Sequence, residues 1–160
     1  MPQRNLASLS VLVVDDYPDG LDLVAEYLTF RGFSVHVATG GEDAIALARA
    51  VTPDIVLMDL SMPGTNGWQA TTILKNDPAT RGICVIAVTA HAMKPEREAA
   101  LAAGCDGVIL KPFDLEVLAN ALPHVLDDCA KALDVPGLSI PSTSPHSRMR
   151  RSAVKAGHGT

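Results

Sequence analysis

The chain has 160 residues, 48% of them apolar, and a formal net charge of −5, enough for one ordinary domain with a two-layer core and a tail. The charge is uneven, with 8 Lys/Arg against 17 Asp/Glu in residues 1–130 and 5 against 1 in residues 131–160, so the folded part is acidic and a broad nucleic-acid surface on it is disfavoured. No apolar run approaches the ~18 residues of a membrane helix, and Cys84, Cys105 and Cys129 form no C-x-x-C pair, which fits a reduced, cytoplasmic setting with no metal or redox role for them.

The predicted elements begin at residues 9–14, L-S-V-L-V-V, a short β-branched strand stopped by Asp15 and Asp16. Arg4 precedes this patch, but Ser8 and Ser10 interrupt it and no small-residue cleavage site follows, so residues 1–8 read as an extension and not as a signal peptide. Pro18 suits the first turn of a helix whose apolar face is Leu21, Val24, Ala25 and Leu28, with Gly32 as its C-terminal stop. Ser34 to Ala38 is a second strand. Gly40–Gly41 then turns into a helix with the stripe Ala44, Leu47, Ala48 and Val51, ended by Pro53.

Ile55 to Met58 are four consecutive apolar residues between Pro53 and a turn rich in Pro, Gly and Asn, the pattern of a strand buried on both faces. That strand delivers Asp59 to its carboxyl end. A third helix spans Gly67 to Asn76, with Ala70, Ile73 and Leu74 expected inward, and Pro78 and Gly82 precede a strand from Ile83 to Val88 that ends at Thr89 and Ala90. Lys94 to Ala103 reads as a fourth helix closed by Gly104. Gly107 to Leu110 is a fifth strand ending at Lys111–Pro112, and Asp114 is a natural N-cap for a last helix bearing Leu115, Leu118, Ala119 and Leu122. Pro123 falls inside that helix, where a missing N–H and a clash predict a kink or an early break.

Five strands alternating with five helices imply an α/β doubly wound fold with a parallel sheet covered on both faces. Residues 131–160, with Pro136, Pro141 and Pro145 among Ser, Gly and Thr and the cations Arg148, Arg150, Arg151 and Lys155, are expected to be a disordered basic tail.

Parallel strands end on one edge, and in open α/β sheets that edge binds ligands. Strands one, three, four and five end at Asp15–Asp16, Asp59, Thr89 and Lys111, so the acids converge. Two carboxylates ~4 Å apart repel by about 4 kcal/mol at an effective dielectric of 20, so the cluster calls for a counter-charge. Hard carboxylate oxygens in a small open site suit Mg²⁺, and Lys111 supplies a fixed positive charge. An acid held beside both can attack a phosphoryl group, with Thr89 as a hydroxyl donor to it.

V-L-V-V-D-D at 11–16, V-L-M-D-L-S-M-P-G-T-N-G at 56–67, A-V-T-A at 87–90 and V-I-L-K-P-F at 108–113 resemble, in order and spacing, the receiver domains of two-component response regulators. The segment 90–107 is most similar to receivers of phosphorelays and hybrid kinases. The resemblance covers residues 9–130 and implies a flavodoxin-like (βα)5 fold of strand order 2-1-3-4-5. It implies a phosphorylation-dependent switch in which Asp59 accepts a phosphoryl group from a phosphohistidine on a histidine kinase or phosphotransfer protein, changing the docking surface for a downstream output protein. It further implies Mg²⁺ bound by Asp16, Asp59 and the backbone carbonyl of Ser61, with Asp15 acting through a water and Thr89 and Lys111 holding the phosphate. Ser61 and His91 flank the site on the same pattern, as residues that tune the lifetime of the phosphoryl group. No turnover of a separate substrate is implied, only phosphoryl acceptance and slow self-dephosphorylation.

Val108 stands where many receivers carry Tyr or Phe as a rotameric switch. Three other readings remain. An aspartate-nucleophile phosphatase or phosphotransferase usually has a second acid two residues after the nucleophile, where this chain has Ser61. A flavin or nucleotide binder conflicts with the acidic loop D-D-Y-P-D-G and the lack of G-x-G-x-x-G. A receiver-like scaffold would signal by binding without phosphorylation.

Overall fold

The computed structural model describes residues 9–60, 67–90, 94–127 and 138–139. Strand β1 (Ser10–Val14) leads to helix α1 (Pro18–Phe30), β2 (Ser34–Ala38), α2 (Gly41–Val51) and β3 (Ile55–Asp59), followed by α3 (Gly67–Asn76), β4 (Cys84–Thr89), α4 (Lys94–Ala103), β5 (Gly107–Leu110) and α5 (Leu115–Asp127). The sheet order is β2-β1-β3-β4-β5, all parallel, as the alternation of strands and helices demands. A two-residue strand, β6 (Leu138–Ser139), adds to the far edge antiparallel to β5, with Ile109 opposite Leu138. Two residues are too short to leave a periodic signal in the sequence.

Strand alternation sorts the core into two layers. Val11, Val13, Ile55, Leu57, Ile86 and Ile109 face α1 and α5, packing against Leu21, Leu28, Leu118 and Leu122. Leu12, Val14, Val56, Met58, Val85, Ala87 and Val108 face the other way, onto Ala44 and Ala48 of α2, Ala70 and Leu74 of α3, and Ala100 of α4. Val108 is therefore a core residue, and the aromatic found there in many receivers has no counterpart. Gly32 and Gly104 adopt φ of 102° and 105° just past α1 and α4, and the Asp114 carboxylate accepts the N–H groups of Glu116 and Val117 at 2.8 and 3.1 Å, so the helix punctuation acts as its residues suggest.

An inward Ile73 and an early break at Pro123, one of the two outcomes expected there, are not found. Ile73 is 40% exposed, while Thr71 and Lys75 turn inward with Leu74. Helix α5 runs through Pro123 to Asp127 without the early break; the core contacts of Leu118, Leu122 and Val125 on both sides of the proline outweigh one missing backbone hydrogen bond.

Lys75 is inward because it has an acid to meet. Its Nζ lies 2.7 Å from Asp106 Oδ2 with both side chains sealed from solvent, at 2% and 0% exposure, and it also donates to the carbonyl of Ile83 at 2.6 Å. The same Asp106 oxygen accepts the N–H of Val85 at 2.9 Å. This pair ties α3 to the starts of β4 and β5, at the sheet edge remote from Asp59. Removing one partner leaves a buried charge uncompensated, so Asp106→Ala is expected to lower unfolding free energy by about 3–5 kcal/mol in urea titrations. The paired replacement Lys75→Met with Asp106→Leu is expected to recover most of that loss.

Candidate functional site

The site lies at the carboxyl edge of the sheet. β1 hands its end to Asp15, whose N–H donates to Ala38 O at 3.2 Å and continues the β1–β2 ladder, while its Oδ1 accepts the Tyr17 N–H at 2.9 Å. Asp59 is the last residue of β3 and is only 5% exposed. The Leu60 N–H, bonded to Val88 O at 3.2 Å, holds that strand end against β4. Thr89 closes β4, equally buried, and its carbonyl accepts the Lys111 N–H at 2.8 Å, which fixes the β5 end beside it. Lys111 joins Pro112 through a cis peptide bond.

These strand ends bring the side chains together. One oxygen each from Asp15, Asp16 and Asp59 lie within 4.8 Å of one another. The Lys111 ammonium stands 3.5 Å from Asp59 Oδ2 and 3.7 Å from Asp15 Oδ2. One ammonium cannot balance three carboxylates, and the excess negative charge matches a divalent cation. Opposite ligands of a Mg²⁺ ion with bonds of 2.0–2.1 Å are about 4 Å apart, and such an ion keeps several waters and takes few carboxylates, so the donor set and its spacing fit. Ser61 and His91 lie outside the described residues.

Gly67 is a site residue that the sequence reading placed only as the start of the third helix. A Cβ there would overlap the Asp59 carbonyl oxygen and sit 2.8 Å from Leu60 Cα. Only glycine lets the start of α3 press against the backbone that carries Asp59; the Asn66–Gly67 pair is a turn signal but does not disclose the close approach.

The sequence matches the response regulator receiver domain family over residues 11–123. The chain belongs to that family. Receivers are signalling domains that bind Mg²⁺ at an acidic pocket and interact with kinases or phosphodonors and downstream effectors. This receiver is similar to Protein PilH of Pseudomonas aeruginosa, 39% identical over 116 residues, 72% of this chain and 96% of PilH. It is also similar to the polar-differentiation response regulator DivK of Brucella ovis, 34% identical over 119 residues, 74% of this chain and 97% of DivK. Among solved structures it resembles the chemotaxis response regulator CheY4 of Vibrio cholerae, with a TM-score of 0.68 and 26% identity over 73% of this chain and 98% of that one. The CheY-like receiver of Methanospirillum hungatei JF-1 gives 0.70 and 26% over 76% and 95%. No helix among the described residues is long and apolar enough to cross a membrane.

Burial raises the pKa of Asp15 above the ordinary carboxylate value; the Tyr17 N–H opposes this, the adjoining Asp59 raises it further, and Lys111 lowers it. A raised folded-state pKa favours folding below the unfolded value of about 3.9, an advantage lost as pH rises through the folded value. At neutral pH the ionised Asp15 is therefore a burden on the metal-free fold. Asp15→Asn is expected to melt above the wild type at pH 7 in chelator-treated buffer, with the gap closing toward pH ~4, as calorimetry across that range would check.

Proposed function

We propose that this receiver is a phosphorylation-dependent signalling switch of a two-component or phosphorelay system, with Asp59 as the phosphoryl acceptor. The observation that carries the reading is the environment of Asp59: a nearly buried carboxylate at a strand end, with an ammonium 3.5 Å from its Oδ2 and two further acids within 4.8 Å. The donor is a phosphohistidine of a histidine kinase or phosphotransfer protein. An Asp59 oxygen attacks phosphorus as the P–N bond breaks, and the bonding pair leaves on the imidazole nitrogen. Lys111 and Thr89 hold the phosphoryl oxygens on which charge is spread. Mg²⁺, held by Asp16, Asp59 and the Ser61 carbonyl with Asp15 through a water, would neutralise that charge when bound. Ser61 and His91 set the access of water and so the lifetime of the product.

A phosphoryl group adds nearly two negative charges. Thr89 and Lys111 are joined by a backbone hydrogen bond, so contacts made by both at the new group bias the β4 end and α4 after it, and with them the surface offered to an output protein. Turnover of a separate substrate is not part of this reading, and its setting is cytoplasmic.

Incubation with Mg²⁺ and acetyl phosphate is expected to add the mass of one phosphoryl group, labile to hydroxylamine and absent from Asp59→Ala, by intact mass spectrometry. No adduct on the wild-type chain would favour a scaffold that signals by binding alone. Steady release of phosphate from a small ester would favour an enzyme.

A further inference from the structure

The cleft beside Asp59 is larger than phosphoryl acceptance needs. Its volume is about 540 Å³, while one water needs only ~10–15 Å³ of space measured in this way. It is lined by Asp15, Asp59 and Lys111 together with Leu23 and Val24 of α1 and Phe113 and Leu115 after β5. At the rim, Tyr17 is 62% and Leu23 59% exposed.

Gly20 also lines the cleft. A Cβ built there would lie 3.5 Å from Asp15 Oδ2 and 3.3 Å from Tyr17 Cδ1, so any longer side chain at this position starts out between the acid and the rim. Glycine is nevertheless not required by the fold. The residue is helical, its φ lies outside the left-handed range, and an alanine needs its neighbours to give only a few tenths of an ångström, in contrast to Gly67. Glycine is also a poor helix former. A residue that breaks a local rule without a backbone reason points to function, and glycine here leaves open the space beside Asp15 in the cleft that Asp59 also lines.

Resting on the phosphoryl-acceptor reading, we propose that Gly20 is the entrance residue of the site. Its missing side chain joins the cleft to Asp59 and admits a phosphoryl group carried on a bulky, flat leaving group with apolar surroundings, which is the chemistry of a phosphohistidine presented by a protein with apolar side chains beside it. The imidazole occupies the cleft while Leu23, Phe113 and Leu115 contact its apolar neighbours. A larger residue at position 20 narrows the passage and discriminates by donor size.

The test compares acetyl phosphate, a small donor, with benzoyl phosphate, whose aromatic ring stands in for the imidazole. Rates of adduct formation on Asp59 are measured in the wild type, Gly20→Ala and Gly20→Leu. Gly20→Leu is expected to slow benzoyl phosphate by about tenfold or more, the scale on which pockets discriminate by shape, and acetyl phosphate by less than about threefold, with Gly20→Ala between. Mg²⁺-dependent thermal stabilisation by beryllium fluoride, a small phosphoryl mimic, is expected to persist in Gly20→Leu, showing the acids in place. Equal slowing of both donors, loss of the beryllium fluoride response, or no slowing of either would overturn the proposal. A wild type that accepts phosphate from neither donor would instead remove the acceptor reading on which it rests, while a reactive wild type with an indifferent Gly20→Leu removes this inference alone.

Discussion

The structure depends on holding like charges together at one edge of a sheet. Asp15 and Asp59 come from neighbouring parallel strands, β1 and β3, so their convergence is a consequence of topology and not of local sequence. What makes it tolerable is Lys111, delivered by β5 to within 3.7 Å of both. The compensation is incomplete, since one ammonium faces three carboxylates; the pKa of Asp15 is raised first by burial and then by Asp59, against the lowering effects of the Tyr17 N–H and Lys111. A site left with excess negative charge is poised to take up a cation, and an acid beside a cation and an ammonium is poised to react with a phosphoryl group.

The opposite edge of the same sheet carries the stabilising features. There Lys75 and Asp106 are paired and sealed, Asp54 exchanges hydrogen bonds with the Ser10 backbone through both its carboxylate and its N–H at 2.9 Å, and Thr80 Oγ1 donates to Leu74 O at 2.7 Å. These contacts fix the starts of β1, β3, β4 and β5, while their ends hold the strained electrostatics. A rigid base under a charged rim is the arrangement expected where a site departs from the most stable choice and the rest of the fold compensates.

Most of this was legible in the sequence where the signal is local and repetitive. Short β-branched runs gave β1, β3 and β4, and Gly32, Gly104 and Asp114 marked helix ends correctly. The strand ends could be collected because parallel topology follows from alternating elements, and that alone brings Asp15, Asp16, Asp59 and Lys111 together. What was not legible depends on partners distant in sequence. Nothing local marks Lys75 as buried, because its partner Asp106 lies thirty-one positions on. The inward turn of Lys75 also displaces the expected place of Ile73. Gly67 and Gly20 look alike as glycines at helix starts, yet one is demanded by the Asp59 backbone and the other is not. Pro123 fails to break α5 because tertiary packing outweighs local propensity, and β6 is only two residues long and antiparallel to β5.

The most direct test of the central claim is a Mg²⁺ titration of the metal-free chain followed by backbone amide chemical shifts. A single saturable site is predicted, with the largest shifts at residues 14–17, 58–60, 89–90 and 110–111 together, and with binding lost in Asp16→Asn and in Asp59→Asn. Shifts spread evenly over the acidic surface, or saturable binding that survives both substitutions, would contradict a single pocket formed by these strand ends.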